Sequence, residues 1–346
     1  MSTVSRRRTD EAFGAIRSRF YAKLWERTAR RVGASLAPVG RGFYQIGRDS
    51  KVTFVDSSGA FVDSRLGAKM AMDKVLMHRL FDGDPRYRAP EYRPYSLGTI
   101  HRAYDFLDAT STRVVVKPAR NGYAGRGVTA GIDDRRSLRS AAVEAAAFSS
   151  DQMVEQHIDG HSYRLLFLDG ELIQVVLRRP PSVVGNGRDS IRRLMEAETI
   201  RRQDASECSS LHSLEPDLDC RLTLRARGLS LASVPSPGET VEVKTVVNQS
   251  AAQDNEIVSV PVHDGILNLG ARVSSLLQLP LVGLDVITDD LAVGLAESGG
   301  VVNEINAQPG LHHHYLVCNP DSGGDVAAAV LEYALIHATE DKPGDG

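Results

Sequence analysis

The sequence predicts a mixed α+β fold with largely antiparallel sheets, and three observations carry that expectation. Residues 162–168 and 172–177 are strand-like runs joined at Asp169-Gly170, a two-residue turn that favours a tight hairpin. Residues 281–287 and 300–306 make a second strand pair around a turn. Helical spacing of apolar residues recurs between such pairs without the regular strand–helix–strand succession of one doubly wound sheet.

The elements follow in order. Phe13, Ile16, Phe20 and Leu24 recur at three- and four-residue spacing, which predicts an amphipathic helix over 10–32 stopped by Gly33. Phe43 to Ile46 and Val52 to Val55 read as short strands around Gly47 to Ser50, a hairpin signal. A helix is expected over 66–81, and the polar, proline-bearing stretch 82–94 reads as a linker. The pattern then runs helix (97–107), strand (112–117), glycine loop, helix (133–147) and strand (152–156), before the hairpin. A helix at 189–202 leads into 203–213, which is polar, lacks periodicity and is expected to be mobile. A helix over 217–227 stops at Gly228, and a strand is expected near 240–246. Helices at 264–278 and 324–337 flank the last strand pair.

Composition narrows the class. At 346 residues, 42% hydrophobic and 25% charged, the chain has room for two or three domains around real cores. A net charge of -3 gives no reason to expect nucleic acid or an acidic membrane as the main partner. No apolar stretch approaches the roughly 20 residues that span a bilayer, and no signal-peptide core follows Met1. Cys208, Cys220 and Cys318 lack metal-ligand spacing, and their odd number argues against a disulfide framework. A cytoplasmic protein is expected.

Two stretches carry chemistry. Val114-Val115-Val116-Lys117-Pro118 delivers one lysine to the end of an apolar run. The following turn holds Gly122, Gly125 and Gly127 with Arg120 and Arg126, then the chain turns apolar again. Glycines let backbone N–H groups fold closely over a polyphosphate, while Lys and Arg supply charge. A lone strand lysine is ordinarily a snorkelling surface residue, but the glycine loop after Lys117 favours the phosphate reading. Far downstream, Asp285 ends the run Leu281-Val282-Gly283-Leu284, and Glu304 and Asn306 stand two apart on the next strand, facing one side. If those strands pair, three oxygen ligands converge on a hard divalent cation such as Mg²⁺. The alternative for Glu304 and Asn306 is the solvent face of an edge strand. His312-His313-His314 is not expected to bind zinc, because neighbours on an extended chain diverge and no further ligands stand at zinc spacing.

The order of these pieces resembles the ATP-grasp carboxylate–amine ligases, and is most similar to the cyanophycin synthetase and bifunctional glutathione synthetase type. D-Alanine–D-alanine ligase is a more distant relative. The resemblance covers roughly residues 40–335 and rests on Met72-Asp73-Lys74, Lys117 with its loop, and Val154-Glu155-Gln156-His157-Ile158-Asp159-Gly160 leading into Tyr163-Arg164. It continues through Arg179-Pro180-Pro181, Gly185-Asn186-Gly187, Asn248-Gln249-Ser250 and Glu304-Ile305-Asn306-Ala307-Gln308-Pro309-Gly310.

The resemblance implies an ATP-grasp fold, two α+β lobes clamping a nucleotide, with a small N-terminal α/β region. Its divisions would be an N-terminal substrate region over 1–65, a central lobe over 66–160 and a C-terminal lobe over 161–346. It implies ATP and Mg²⁺, with Mn²⁺ as a substitute. Lys117 would contact phosphates, with Gly122, Gly125, Arg126 and Gly127 closing over them and Lys74 assisting. Glu155 would form the hinge, the backbone at Met153 and Val154 pairing with adenine. Arg164 would stabilise phosphate or a developing acyl phosphate; a structural ion pair is its alternative. Arg179 and Lys244 are further candidates for neutralising transferred phosphate, Asn248 for the metal and substrate oxygens, and His314 for the active-site rim. The metal set is Asp285, Glu304 and Asn306. Two departures stand out: His78 where a second nucleotide lysine is usual, and Ser162 where an acidic ribose contact is usual.

The expected function is ATP-dependent amide or peptide bond formation through an acyl phosphate, between a carboxylate and an amino-acid or peptide amine, in a homodimer. The alternatives are a carboxylate kinase and a nucleotide-binding regulatory protein.

Overall fold

The computed structural model describes residues 3–57, 59–60, 62–120, 125–203, 208–338 and 340. Helix α1 (Thr3–Arg31) begins earlier than its apolar spacing announced and ends where Gly33 takes φ +70°. It buries Phe13, Ile16, Tyr21, Leu24 and Trp25 in a core shared with the final helix, Val326–Ile336. Strands β1 (Ser35–Gly40), β2 (Phe43–Arg48) and β3 (Lys51–Val55) form an antiparallel sheet in that order. β1 escaped the sequence reading because it is nearly all exposed and carries Pro38, so it shows no apolar alternation.

The single helix expected over 66–81 is two, α2 (Arg65–Ala71) and α3 (Lys74–Leu80). Asp73 breaks it by capping α3, its carboxylate accepting from the Leu76 N–H at 2.9 Å. That cap puts Lys74 at the start of α3, where its own N–H donates to the Ala119 carbonyl at 3.0 Å.

The expected linker contains a strand, β4 (Tyr92–Tyr95), which lies at a sheet edge and so tolerates Pro94. With β5 (Val114–Pro118), β6 (Thr129–Ile132) and β7 (Gln152–Gln156) it builds a sheet of order β4-β7-β5-β6. Helices α4 (His101–Ala109) and α5 (Arg135–Ala146) cover it through Ala103, Leu107, Leu138 and Ala142.

β8 (His161–Leu168) and β9 (Glu171–Arg178) meet at Asp169 and Gly170, both at positive φ, as a two-residue hairpin of that sequence requires. A satellite follows: β10 (Ser182–Val184), α6 (Ile191–Gln203), α7 (Leu218–Ala226) and β11 (Thr240–Glu242) around Met195, Cys220 and Leu224. Residues 208–213 are not a polar loop on the surface: Ser210 and Leu211 are buried. The strand expected over 240–246 is only the short β11.

β12 (Asn255–Ile257), α8 (Asp264–Leu277), β13 (Leu281–Thr288), α9 (Leu295–Ser298), β14 (Val301–Ala307) and α10 (Val326–Ile336) complete the chain. The larger sheet runs β12-β9-β8-β13-β14, every neighbouring pair antiparallel. One face carries α8 and, through Ala71, Met77 and Phe81, the helices α2 and α3. The expected antiparallel α+β organisation is present. Cys208, Cys220 and Cys318 are free thiols. No helix among the described residues is long and apolar enough to cross a membrane.

Candidate active site

Pairing of three strands assembles the charged floor. β8 sets Arg164 opposite Asp285 of β13, and β14 sets Glu304 opposite Asp285 on the other side. Residues opposed across neighbouring strands stand side by side on one face, so register alone draws the three into a row. Arg164 grips Asp285 with Nε and Nη2, the latter at 2.9 Å, and Asn306 Nδ2 donates to the same carboxylate at 3.3 Å. Burial works to raise the Asp285 pKa, but Arg164, Arg178 and the Asn306 amide outweigh it and hold the carboxyl below its usual range. Gly283 gives the arginine room: a Cβ there would lie 2.9 Å from Pro309 Cβ and 3.2 Å from Arg164 Cδ.

The smaller sheet brings the lysine. Lys117 Nζ lies 2.8 Å from Glu155 Oε1, both side chains sealed from solvent. It also reaches 3.4 Å from the carbonyl and side-chain oxygens of Asn303, the residue before Glu304. Lys74 Nζ lies 2.8 Å from Glu304 Oε1. Burial pushes the Glu155 carboxyl up, against the pull of Lys117 and Lys74, and Glu304 adds to the rise.

These groups line one cleft of about 640 Å³, together with Gly125, Ser162, Arg179, Asn248 and Asn306. Gly125 takes φ +65°, and a Cβ on it would fall 2.6 Å from Asn248 Cβ, so Gly125 lies directly against that asparagine. Arg179 pairs with Glu256 at 2.5 Å, and both are partly exposed.

Several expected residues stand elsewhere. His78, one turn after Lys74, is buried with Nδ1 2.5 Å from the Tyr87 hydroxyl and its ring centroid 4.8 Å from that of Tyr92. Burial, with Lys117 and Lys74 nearby, pushes it down to about 3, so it supplies no cation. Lys244 is buried against Asp217 of the satellite, away from the cleft lining. Arg126 turns outward to Asp10 of α1 at 2.8 Å, and Gly127 packs on α5, where a Cβ would meet Phe148 Cδ2 at 2.7 Å. Met153 and Val154 lie inside β7, flanked by β4 and β5, so sheet pairing already engages this strand's backbone on both edges. Gln156, the last residue of the strand, and His157 to Asp159 just past it line the cleft instead. His314 turns away, its Nδ1 2.8 Å from Gln174 Oε1, while His312 and His313 line the cleft. The histidines sit on a 3₁₀ turn, Leu311–His314, whose successive side chains diverge by about a third of a turn. Gly122 lies outside the described residues.

The sequence reading missed Arg17, Tyr21, Arg178 and His212, which all line the cleft. Arg17 and Tyr21 are four apart on α1, one polar-aromatic step on an otherwise apolar face. His212 came from a stretch without periodicity and carried no signal.

The oxygen atoms a hard cation would take are here engaged by protein donors, Asp285 by Arg164 and Asn306, and Glu304 by Lys74. Asp285, Glu304 and Asn306 offer oxygen ligands, and Asn306 gives its Nδ2 to Asp285, leaving Oδ1 for a metal. No group of three or more His, Cys, Asp or Glu side chains among the described residues is arranged to hold a metal.

No protein-family model matches the chain. Cyanophycin synthetase of Trichormus variabilis is 30% identical over 291 residues, covering 82% of this chain and 30% of that protein. A bifunctional glutathione biosynthesis protein of Desulfotalea psychrophila is 23% identical over 272 residues, covering 78% and 34%. The chain thus spans about a third of the length of the curated relatives it matches. A solved bifunctional glutathione synthetase from Pasteurella multocida matches with a TM-score of 0.52 at 18% identity, covering 87% of this chain and 41% of that one. D-Alanine–D-alanine ligase from Bacillus anthracis matches at 0.50 and 15%, covering 80% and 69%. The two solved structures show an ATP-grasp fold, and over most of its length the chain is similar to about a third of cyanophycin synthetase and of the bifunctional glutathione biosynthesis protein.

Proposed function

We propose that the chain forms an amide or peptide bond at the expense of ATP, joining a substrate carboxylate to the amine of an amino acid or short peptide. One observation carries the reading: Lys117 of the smaller sheet reaches 3.4 Å from Asn303, next to Glu304 on the larger sheet. Cationic and acidic groups from two separate sheets therefore share one cleft, whose volume of about 640 Å³ suits a nucleotide-sized ligand.

In this reading Lys74 exchanges Glu304 for phosphate oxygens, Lys117 adds its charge from its place beside Glu155, and Gly125 lets backbone approach the same oxygens closely. A divalent cation held by Asp285, Glu304 and Asn306 would supply Lewis-acid stabilisation of phosphate charge. Arg164, fixed in orientation by Asp285, faces the cleft as the group that meets a developing acyl phosphate. The carboxylate attacks the γ-phosphate, ADP leaves, and the amine then displaces phosphate from the acyl phosphate. Asn248 and Gly125, packed against each other, keep water from that intermediate. Ser162 and Gln156 to Asp159 form the nucleotide's base and ribose side of the cleft.

The test is ADP release across a panel of carboxylate and amine pairs, with product mass. ADP formed equally without any amine, and no amide product, would replace the ligase with a carboxylate kinase. ATP binding with no turnover across the panel would favour a regulatory role, which the uncharged His78 supports.

A further inference from the structure

Lys244 stands one residue before a stretch that lines the cleft, Thr245 to Asn248, and the start of that stretch is tied to α7. Lys244, 1% exposed, pairs with Asp217, which caps α7 by accepting from the Cys220 N–H at 3.0 Å. Asp219, also 1% exposed, accepts through Oδ2 from the N–H groups of Thr245 and Val246, both at 3.1 Å. One turn further along α7, the Thr223 hydroxyl lies 2.9 Å from that of Thr245. The other oxygen of Asp219 faces the smaller sheet, where Oδ1 accepts from the Ala130 N–H of β6 at 3.0 Å. Leu218 and Leu222 of α7 pack into the core of that sheet with Val114, Val116 and Ile132. One buried carboxylate therefore joins β6 to the opposite flank of the cleft.

That flank is also fastened to the larger sheet. Arg178 Nη2 at the end of β9 donates to the Val247 carbonyl at 3.1 Å, and the Ser250 hydroxyl donates to the Arg179 carbonyl at 2.6 Å. Residues 245–250 thus form a strap between the two sheets, with Asp219 at its smaller-sheet end. Burial pushes the Asp219 carboxyl up, while Lys244 and the N–H groups of Ala130 and Val246 favour its charged form.

Position gives this fastening its meaning. Ala130 follows Gly125 by five residues, and Thr245 and Val246 precede Asn248 by three and two. Gly125 and Asn248 touch where both line the cleft. Asp219 holds, from behind, the two chain segments that meet there.

We propose that Asp219 is a positioning residue that keeps the Gly125–Asn248 contact closed over the acyl phosphate, so that amine rather than water reaches it. The proposal rests on the ligase reading and deepens it. Water admitted to the acyl phosphate attacks its carbonyl carbon and expels phosphate, returning the free acid and spending ATP without an amide bond. Asp219→Asn keeps the size of the side chain but turns one acceptor into a donor. Whichever way the amide lies, its NH₂ faces an N–H group, so either the Ala130 bond or the Thr245 and Val246 pair is lost.

The test counts ADP and amide together, with magnesium, ATP and the carboxylate and amine pair that yields most amide in the panel. Wild type should release about one ADP per amide, and Asp219→Asn about three or more. Partial unfolding lowers both products alike and leaves that ratio unmoved. An unchanged ratio in a variant with wild-type circular dichroism overturns the proposal. Should the variant fail to fold, or no pair turn over, amide hydrogen exchange of the wild-type protein decides. Magnesium with a non-hydrolysable ATP analogue should slow exchange at Ala130, Thr245 and Val246 together, by factors within about three-fold of one another. Slowing on one side of Asp219 alone, or at none of the three, overturns the proposal. Exchange is read without turnover, so an absence of amide product removes the ligase reading and leaves the exchange pattern to judge the strap.

Discussion

Two lysine–glutamate pairs meet in the cleft at the same 2.8 Å, yet they are built differently. Lys117 and Glu155 stand on adjacent strands of one sheet, each side chain about 4% exposed. Lys74 and Glu304 join a helix start to a strand of the other sheet, and the Glu304 side chain keeps 26% of its surface open. A sealed pair cannot lose one partner without stranding a buried charge, whereas an open pair can trade partners with a ligand or water. The difference separates the role of holding the cleft together from the role of presenting charge to what enters it.

The largest effect should come from the open pair. Glu304→Ala is expected to lower turnover by about 10²–10³-fold or more, with a thermal midpoint within a few degrees of wild type. Steady-state phosphate release beside a melting curve checks both, and near-normal turnover would break the contrast. Next comes the sealed pair. Lys117→Met leaves Glu155 buried without its cation and should cost about 3–5 kcal/mol of stability in a urea titration, with Lys117→Met/Glu155→Leu recovering much of it. A Lys117→Met variant as stable as wild type would show that the pair is not sealed in solution.

Acid probes the buried histidines around both pairs. His78, His212 and His314 are each pushed down to about 3 by burial and nearby cations. The unfolded chain therefore takes up protons first as pH falls. Stability should be flat above about pH 6.5 and decline steadily toward pH 3, each histidine removing about 1 kcal/mol by pH 5.5. Unfolding free energies measured from pH 8 to 5 that stay constant would contradict that burial. Smallest is Arg126→Gln, which breaks a largely exposed pair with Asp10 and should change stability by about 0–1 kcal/mol and turnover by less than three-fold. A ten-fold loss of ATP affinity would return Arg126 to the phosphate site.

Much of this organisation was legible in the residues. Asp285, Glu304 and Asn306 could be placed because alternation along a strand fixes facing and antiparallel pairing fixes neighbours, whereas Arg164 came only from the resemblance. Lys117 could be placed because a glycine turn follows it. What could not be read was direction away from regular structure. Arg126 and Lys244 carry the right charge, but each found an aspartate elsewhere, which no local spacing announces. His78 kept the position of a useful cation and lost the charge to burial beside Tyr87 and Tyr92. His212 and Arg17 reached the cleft through packing of segments far apart in the chain, and that packing left no periodic trace.

The wall made by α1 has a consequence for how the molecule comes into being. Phe13, Ile16, Leu24 and Trp25 share their core with Val326, Val330, Leu331 and Leu335, roughly three hundred positions downstream. Such distant partners make closure slow and late. On a ribosome, α1 would keep its oily side bare until α10, about three hundred residues later, had been made. The pocket wall would then be seated only once α10 arrives, and a product cut short of α10 would lack a working chamber.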